Sequence, residues 1–174
     1  MPIRHFRHLV RRFFSSLNRK APSSLDGDWA AGHLSAKELA LWSVMSPPDQ
    51  RHSIAVAKMV HNQLPEDRTA VVAALLHDIG KASVRSGILR RVLAGFTHPL
   101  VGTQRSHRWT SKGGALSRLA ALIEYPIAGA ALLAEAGSEE FVVRWAAQHH
   151  LRPEEWTVDR VRARVLRRAD NVAV

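Results

Sequence analysis

The chain has 174 residues, no cysteine, and 25 Lys+Arg against 15 Asp+Glu, a formal net charge of +10. Hydrophobic residues make up 46% and charged residues 23%, the balance of a globular domain, which excludes a disordered chain, a fibrous chain and a disulfide scaffold. Without cysteine there is no thiol nucleophile, iron–sulfur cluster or thiolate zinc site, so any metal must sit on His, Asp or Glu; no apolar run approaches the roughly 18 residues of a membrane span.

The charge is concentrated at the start. Residues 1–24 hold Arg4, Arg7, Arg11, Arg12, Arg19 and Lys20 with no acid, which is +6 of the total. Ile3, Phe6, Val10, Phe13 and Leu17 recur at helical spacing, so the segment predicts a basic amphipathic helix. Three readings are open: a helix docked on the domain, an interfacial helix on anionic lipid, or a targeting peptide. Nucleic-acid binding has the charge but no reading motif, and is disfavoured. Ala21-Pro22-Ser23-Ser24 reads as a linker, dividing the chain into 1–24, basic helix and linker, and 25–174, the globular domain.

That domain predicts an all-α fold, a compact helical bundle. Ser35-Ala-Lys-Glu38 is a capping-box pattern opening a helix to about Met45. Pro47-Pro48 ends it and opens the next, about 48 to 63, which Leu64-Pro65 stops. A helix from Pro65 to Asp78 follows; its centre, Ala70 to Leu76, is apolar all round and therefore the buried central helix. Gly80 reads as a helix stop. Further helices are expected at about 88–96, 115–124, 127–136, 138–150 and 158–171, with Gly137 as a stop and Ser138 as an N-cap.

His77 and Asp78 end the apolar helix. An ionised Asp at the end of a buried helix costs several kcal/mol unless a metal ion, an Arg or a cap offsets it. A His-Asp pair alone says little; the string Leu75-Leu-His-Asp-Ile-Gly-Lys81, with His52 upstream and Asp170 on the last helix, is far more specific. Imidazole nitrogen and carboxylate oxygen together suit Mn, Fe, Mg, Co or Ni.

In these residues the sequence resembles the HD-domain superfamily of metal-dependent phosphohydrolases, an all-α family named for its His…His-Asp…Asp ligands. The match runs over about residues 35 to 174, and within the superfamily the chain looks most similar to small stand-alone bacterial proteins with a basic N-terminal helix. The resemblance implies that His52, His77, Asp78 and Asp170 hold a divalent metal ion, and that a phosphate ester, in a nucleotide or related small molecule, is hydrolysed by metal-activated water. It implies that Asp78 bridges two metals where two are present and orients the nucleophile. Lys81 is either a point cation for developing phosphoryl charge or a solvated lysine near a helix end. The alternative is a non-catalytic metal- or nucleotide-binding module, regulatory, with a membrane- or partner-binding N-terminal helix. The expected partner is a small phosphorylated substrate, and the expected location the cytoplasm, at the membrane periphery if residues 1–24 bind lipid.

The chain departs from one branch of that family. Members with two or three metals, including cyclic-dinucleotide phosphodiesterases of the HD-GYP type, carry a His-Pro-x-x-Gly segment and a His-His pair about 24 residues later. Here Tyr125-Pro-Ile-Ala-Gly129 precedes His149-His150 by that interval, so Tyr125 stands where a histidine is expected. A phenol, with a reference pKa of about 10, is a poor ligand at neutral pH. One well-formed metal is therefore expected, with a second weak or missing. His149 and His150 remain candidate contacts to a second metal or to substrate phosphate, with a polar helix end as the plainer reading. His98 lies too far upstream to replace Tyr125. His61 is expected in solvent, and His33 and His107 in or beside loops. The tryptophans read as core or docking anchors, Trp29 among them. Arg51, Arg85, Arg90 and Arg91 are candidate phosphate contacts.

Overall fold

Short polar side chains set where the helices begin. A computed structural model describes residues 20–85 and 115–173, with the side chains of 83–85 and 115–124 excepted. Ser23 caps α1 (Ser24–His33), Ser35 caps α2 (Ala36–Ser43) and Ser46 caps α3 (Pro47–Gln63). Asp67 caps α4 (Arg68–Leu76), and Asp159 caps α8 (Arg160–Val172). In each, a side-chain oxygen accepts a backbone N–H that the first turn leaves unpaired, a contribution of about 1 kcal/mol per cap. At α2 the capping box is complete: Glu38 Oε2 accepts from the Ser35 N–H at 2.9 Å. Between α4 and α8 lie α5 (Gly80–Arg85), α6 (Ala115–Ala136), α7 (Glu140–Gln148) and a 3₁₀ turn at Pro153–Glu155. No strand occurs among the described residues, and the fold is all-α.

The central helix is α4. Ala70 to Leu76 are all buried, and α4 packs against α3 and α7, with α1, α2 and α8 also touching it. Around it gather Leu41, Val56, Val60, Leu133, Trp145 and Leu166. Each such aliphatic chain removed from water contributes roughly 2 kcal/mol. Because every face of α4 is covered, its C-terminal end is held deep in the domain, and there His77 and Asp78 sit. Antiparallel packing of α8 on α3 brings residue 170 to residue 52 at one end and Arg162 to Asp67 at the other.

Several expectations are corrected. The two helices expected at 115–124 and 127–136 are one, α6, with Pro126 inside it. The proline forfeits one backbone hydrogen bond, yet α6 is held in place along α5 and α7. Ser138 is not the N-cap of α7, which starts after Glu139 without a side-chain cap. Its hydroxyl instead donates to Glu38 Oε1 at 2.7 Å, partnering the second oxygen of a buried carboxylate. Gly137 is the expected stop, with φ +79° and the Ser138 N–H donating to the Leu133 carbonyl at 3.0 Å. The helix expected from Pro65 begins at Arg68, and the one expected to reach 150 stops at Gln148. Helix α1 was not anticipated beyond its linker, and His33 is its last residue. His61 is not in solvent; it is half-buried, 5.9 Å from the His33 ring and 6.0 Å from the Trp29 ring. Trp29 packs against the core as expected of an anchor. The expected basic helix of 1–19, the expected helix at 88–96, and His98, His107, Trp109, Arg90 and Arg91 lie outside the described residues; so does the side chain of Arg85.

Candidate metal centre

Five segments converge at the buried end of α4. His52 comes from the first turns of α3, His77 and Asp78 from the turn after α4, and Asp170 from the last turn of α8. Tyr125 comes from α6, and His149 and His150 follow α7. Asp170 Oδ1 lies 2.9 Å from His52 Nε2 and 3.7 Å from His77 Nε2. Asp78 Oδ2 lies 3.4 Å from His77 Nε2 and accepts from Lys81 Nζ at 2.5 Å. On its other side, Asp78 Oδ1 lies 3.5 Å from Tyr125 Oη and 3.7 Å from His149 Nε2. The Tyr125 hydroxyl is also hydrogen-bonded to His150 Nε2. Asp78 thus turns one oxygen to each of two half-sites.

The imidazoles are aimed by their own helices. His77 Nδ1 donates to the Ala74 carbonyl and His149 Nδ1 to the Ala146 carbonyl, each at 2.9 Å. That fixes each ring and turns each Nε2 towards the cluster. An arginine of α8, Arg167, donates to the His149 carbonyl and steadies the chain between the two histidines.

A close helix crossing holds the tyrosine. A Cβ on Gly80 would lie 1.9 Å from the Tyr125 carbonyl oxygen, and one on Gly129 3.0 Å from the Gly80 nitrogen. Only glycine lets the start of α5 lie against α6 at this depth. Gly80 was expected as a helix stop; it has no left-handed backbone and serves this contact instead. The glycine in His-Asp-Ile-Gly and the one in Tyr-Pro-Ile-Ala-Gly were visible in the sequence, but nothing there showed that they face each other.

The charges follow from this packing. Burial opposes a charge on His77, yet Asp78 and Asp170 outweigh it and hold its pKa up to about 9. Burial alone would raise Asp78; His77 first, then His149 and Lys81, hold it well below the usual carboxylate range. Asp170 is likewise held low against its burial by His52 and His77. Burial and the adjacent His149 push His150 down to about 4, so it is neutral and accepts the tyrosine proton. Burial, then Asp78 and Asp170, keep the phenol protonated. At neutral pH a proton on His77 and the Lys81 ammonium compensate the carboxylates of buried Asp78 and half-buried Asp170.

A comparison with protein families finds that the HD domain family matches residues 50–174. The chain belongs to the HD domain family. Most members of that family are metal-dependent hydrolases. No curated protein and no solved structure matches the chain. The residues present fit the metal ion that an HD domain implies. His52, His77 and Asp78 form one group able to hold an ion, and Asp78, His149 and His150 another, the donor atoms of each group lying within 4.8 Å of one another. The donors are imidazole nitrogens and carboxylate oxygens, the set suited to divalent first-row metals. His149 Nε2 is buried and has no hydrogen-bond partner, which a cation would supply. Lys81 is partly exposed, and its ammonium sits on Asp78, 5.8 Å from the centre of the Tyr125 ring. Arg51 donates to the Lys20 carbonyl.

Proposed function

We propose that the protein is a metal-dependent phosphohydrolase that cleaves a phosphate ester of a nucleotide or related small molecule. The observation that carries this reading is the convergence of His52, His77, Asp78 and Asp170 from three separate parts of the chain, with the Nε2 of His77 turned inward by a backbone tether. In this reading those four side chains hold a divalent ion, Mn, Fe, Mg, Co or Ni. The ion would polarise a phosphoryl oxygen and make a water nucleophilic at neutral pH. Asp78, anchored at the end of α4, would help hold the ion and orient the attacking water. Lys81 exchanges its contact with Asp78 for the phosphoryl group, placing a cation where charge develops. His149 and His150 border the same space and take either a second ion or the substrate phosphate.

The experiment is hydrolysis of a panel of mono- and diester substrates, nucleotides included, by protein loaded with each candidate metal. Turnover that requires metal and is lost in His77→Ala supports the reading. No hydrolysis of any substrate by metal-loaded protein would leave a regulatory metal- or nucleotide-binding module instead.

A membrane association through residues 1–24 is a separate proposal, carried by their six basic residues and lack of acid. Among the described residues, no helix is long and apolar enough to cross a membrane. Co-sedimentation with vesicles containing anionic lipid, lost when residues 1–24 are removed, tests it.

A further inference from the structure

We propose that Tyr125 is itself a metal ligand, and that with Asp78 and His149 it forms a second site selective for a hard trivalent cation such as ferric iron. This rests on the metal-centre reading above and extends it to the half-site where the chain departs from a histidine.

Three observations carry it. First, Asp78 Oδ1 lies 3.5 Å from Tyr125 Oη and 3.7 Å from His149 Nε2, so one carboxylate oxygen faces both a phenol and an imidazole. Second, His149 Nε2 is buried with no hydrogen-bond partner, although its ring is locked by the bond from Nδ1 to Ala146. A locked, buried ring nitrogen with no hydrogen-bond partner, facing Asp78 Oδ1 at 3.7 Å, marks a place that a cation would fill. Third, the tyrosine hydroxyl sits at the bottom of the site and not at the surface, because Tyr125 is 6% exposed and pinned through its carbonyl against Gly80. A phenylalanine would fill the same apolar space; what the hydroxyl adds is an oxygen that faces the Asp78 carboxylate and is hydrogen-bonded to His150.

The donor set then selects the ion. A carboxylate, an imidazole and a phenol oxygen form a mixed set rich in hard oxygen, which favours a hard cation. A phenol binds as phenolate, so the ion must carry enough charge to displace the proton. A divalent ion suits the first half-site, where His52, His77, Asp78 and Asp170 supply ligands that need no such displacement at a phenol. On binding, the O–H bond of Tyr125 breaks and an oxygen–metal bond forms. The proton leaves along the hydrogen bond to His150 Nε2 and on to solvent, since His150 is exposed. No electron is transferred when the ion arrives in the ferric state.

The test uses a feature of the composition: Tyr125 is the only tyrosine in the chain. Any phenolate-to-iron charge-transfer absorption must therefore come from it. The full-length protein and Tyr125→Phe are loaded with ferric iron. Visible absorption and resonance Raman spectra are recorded, and total iron and divalent metal are measured on the same samples. The expected result is a coloured wild-type protein with phenolate vibrations, and a Tyr125→Phe variant of the same helical content and divalent metal content from which both signals have gone. Ferric iron bound to wild type without the band overturns the proposal, because the phenol is then only a hydrogen-bond donor to His150. Divalent metal in the first half-site with no ferric iron retained overturns it too, while leaving the hydrolase reading intact. Failure to bind any metal overturns both.

Discussion

The two half-sites share one carboxylate and differ in what faces each of its oxygens. On the side of Oδ2 stand His77, with Asp170 and His52 beyond it, and every one of these side chains is paired with a neighbour of opposite charge character. On the side of Oδ1 stand a phenol, a buried imidazole whose Nε2 has no hydrogen-bond partner, and an exposed histidine bonded to the phenol. The first is a set of interchangeable proton and metal contacts, in which a proton on His77 occupies the place a cation would take. The second has no such substitute. The difference teaches that burial alone does not define the chemistry of a polar cluster; what matters is whether its donors are satisfied before the ligand arrives.

The largest effect separating the two follows from removing what they share. Asp78→Ala is expected to empty both half-sites and reduce phosphate-ester turnover on the order of a thousandfold, measured as kcat/KM with metal content alongside. Next is Gly80→Ala. Its Cβ would sit 1.9 Å from the Tyr125 carbonyl, so α5 and α6 must separate. A loss of about 3 kcal/mol in unfolding free energy is expected from chemical denaturation, of the size found for overpacked cores. The same change moves Tyr125 and should weaken the second half-site while the first keeps its divalent ion. An unchanged unfolding free energy would contradict so close a crossing.

These predictions depend on features of unequal legibility. The apolar run from Ala70 to Leu76 announced a buried helix because no face of it could meet water, and the capping residues Ser35 and Glu38 announced where α2 begins. The residues His52, His77, Asp78 and Asp170 could be picked out as a set because metal ligands are chemically distinctive and few. What could not be read was contact across the fold. Helix α1 has glycines at positions 27 and 32 and little amphipathic pattern, which hid it, although Ser23 and Asp26 form a cap whose spacing was there to find. Pro126 looked like a break because local chemistry disfavours it in a helix, and tertiary packing overrode that. Ser138 looked like a cap because of its position; its use on Glu38, 100 residues away in the chain, leaves no local trace.

Acidity gives a smaller and more graded effect. Because the pKa of His77 is raised from 6.5 to about 9 in the folded protein, a metal ion must displace its proton. Apparent affinity of the first half-site for a divalent ion should therefore rise by up to about tenfold per pH unit from neutrality to about pH 9 and then level off, as read by calorimetric titration. The metal-free protein behaves in the opposite sense. A raised folded-state pKa stabilises fully below 6.5, and that contribution fades as pH rises towards about 9, so the melting temperature should fall over this window. Metal-loaded protein should lack that fall. The smallest effect belongs to the shared scaffold: Ser138→Ala removes one hydrogen bond to Glu38, costs about 1 kcal/mol, and leaves both half-sites loaded.

The most direct measurement is elemental analysis of full-length protein purified without chelator and then incubated with Mn, Fe or Mg, alongside Asp78→Ala and His52→Ala of matching helical content. Divalent metal is expected in the wild type, none retained in Asp78→Ala, and a marked loss in His52→Ala. Wild-type protein that retains no metal under any of these conditions, or an Asp78→Ala variant that retains as much as wild type, would contradict that expectation.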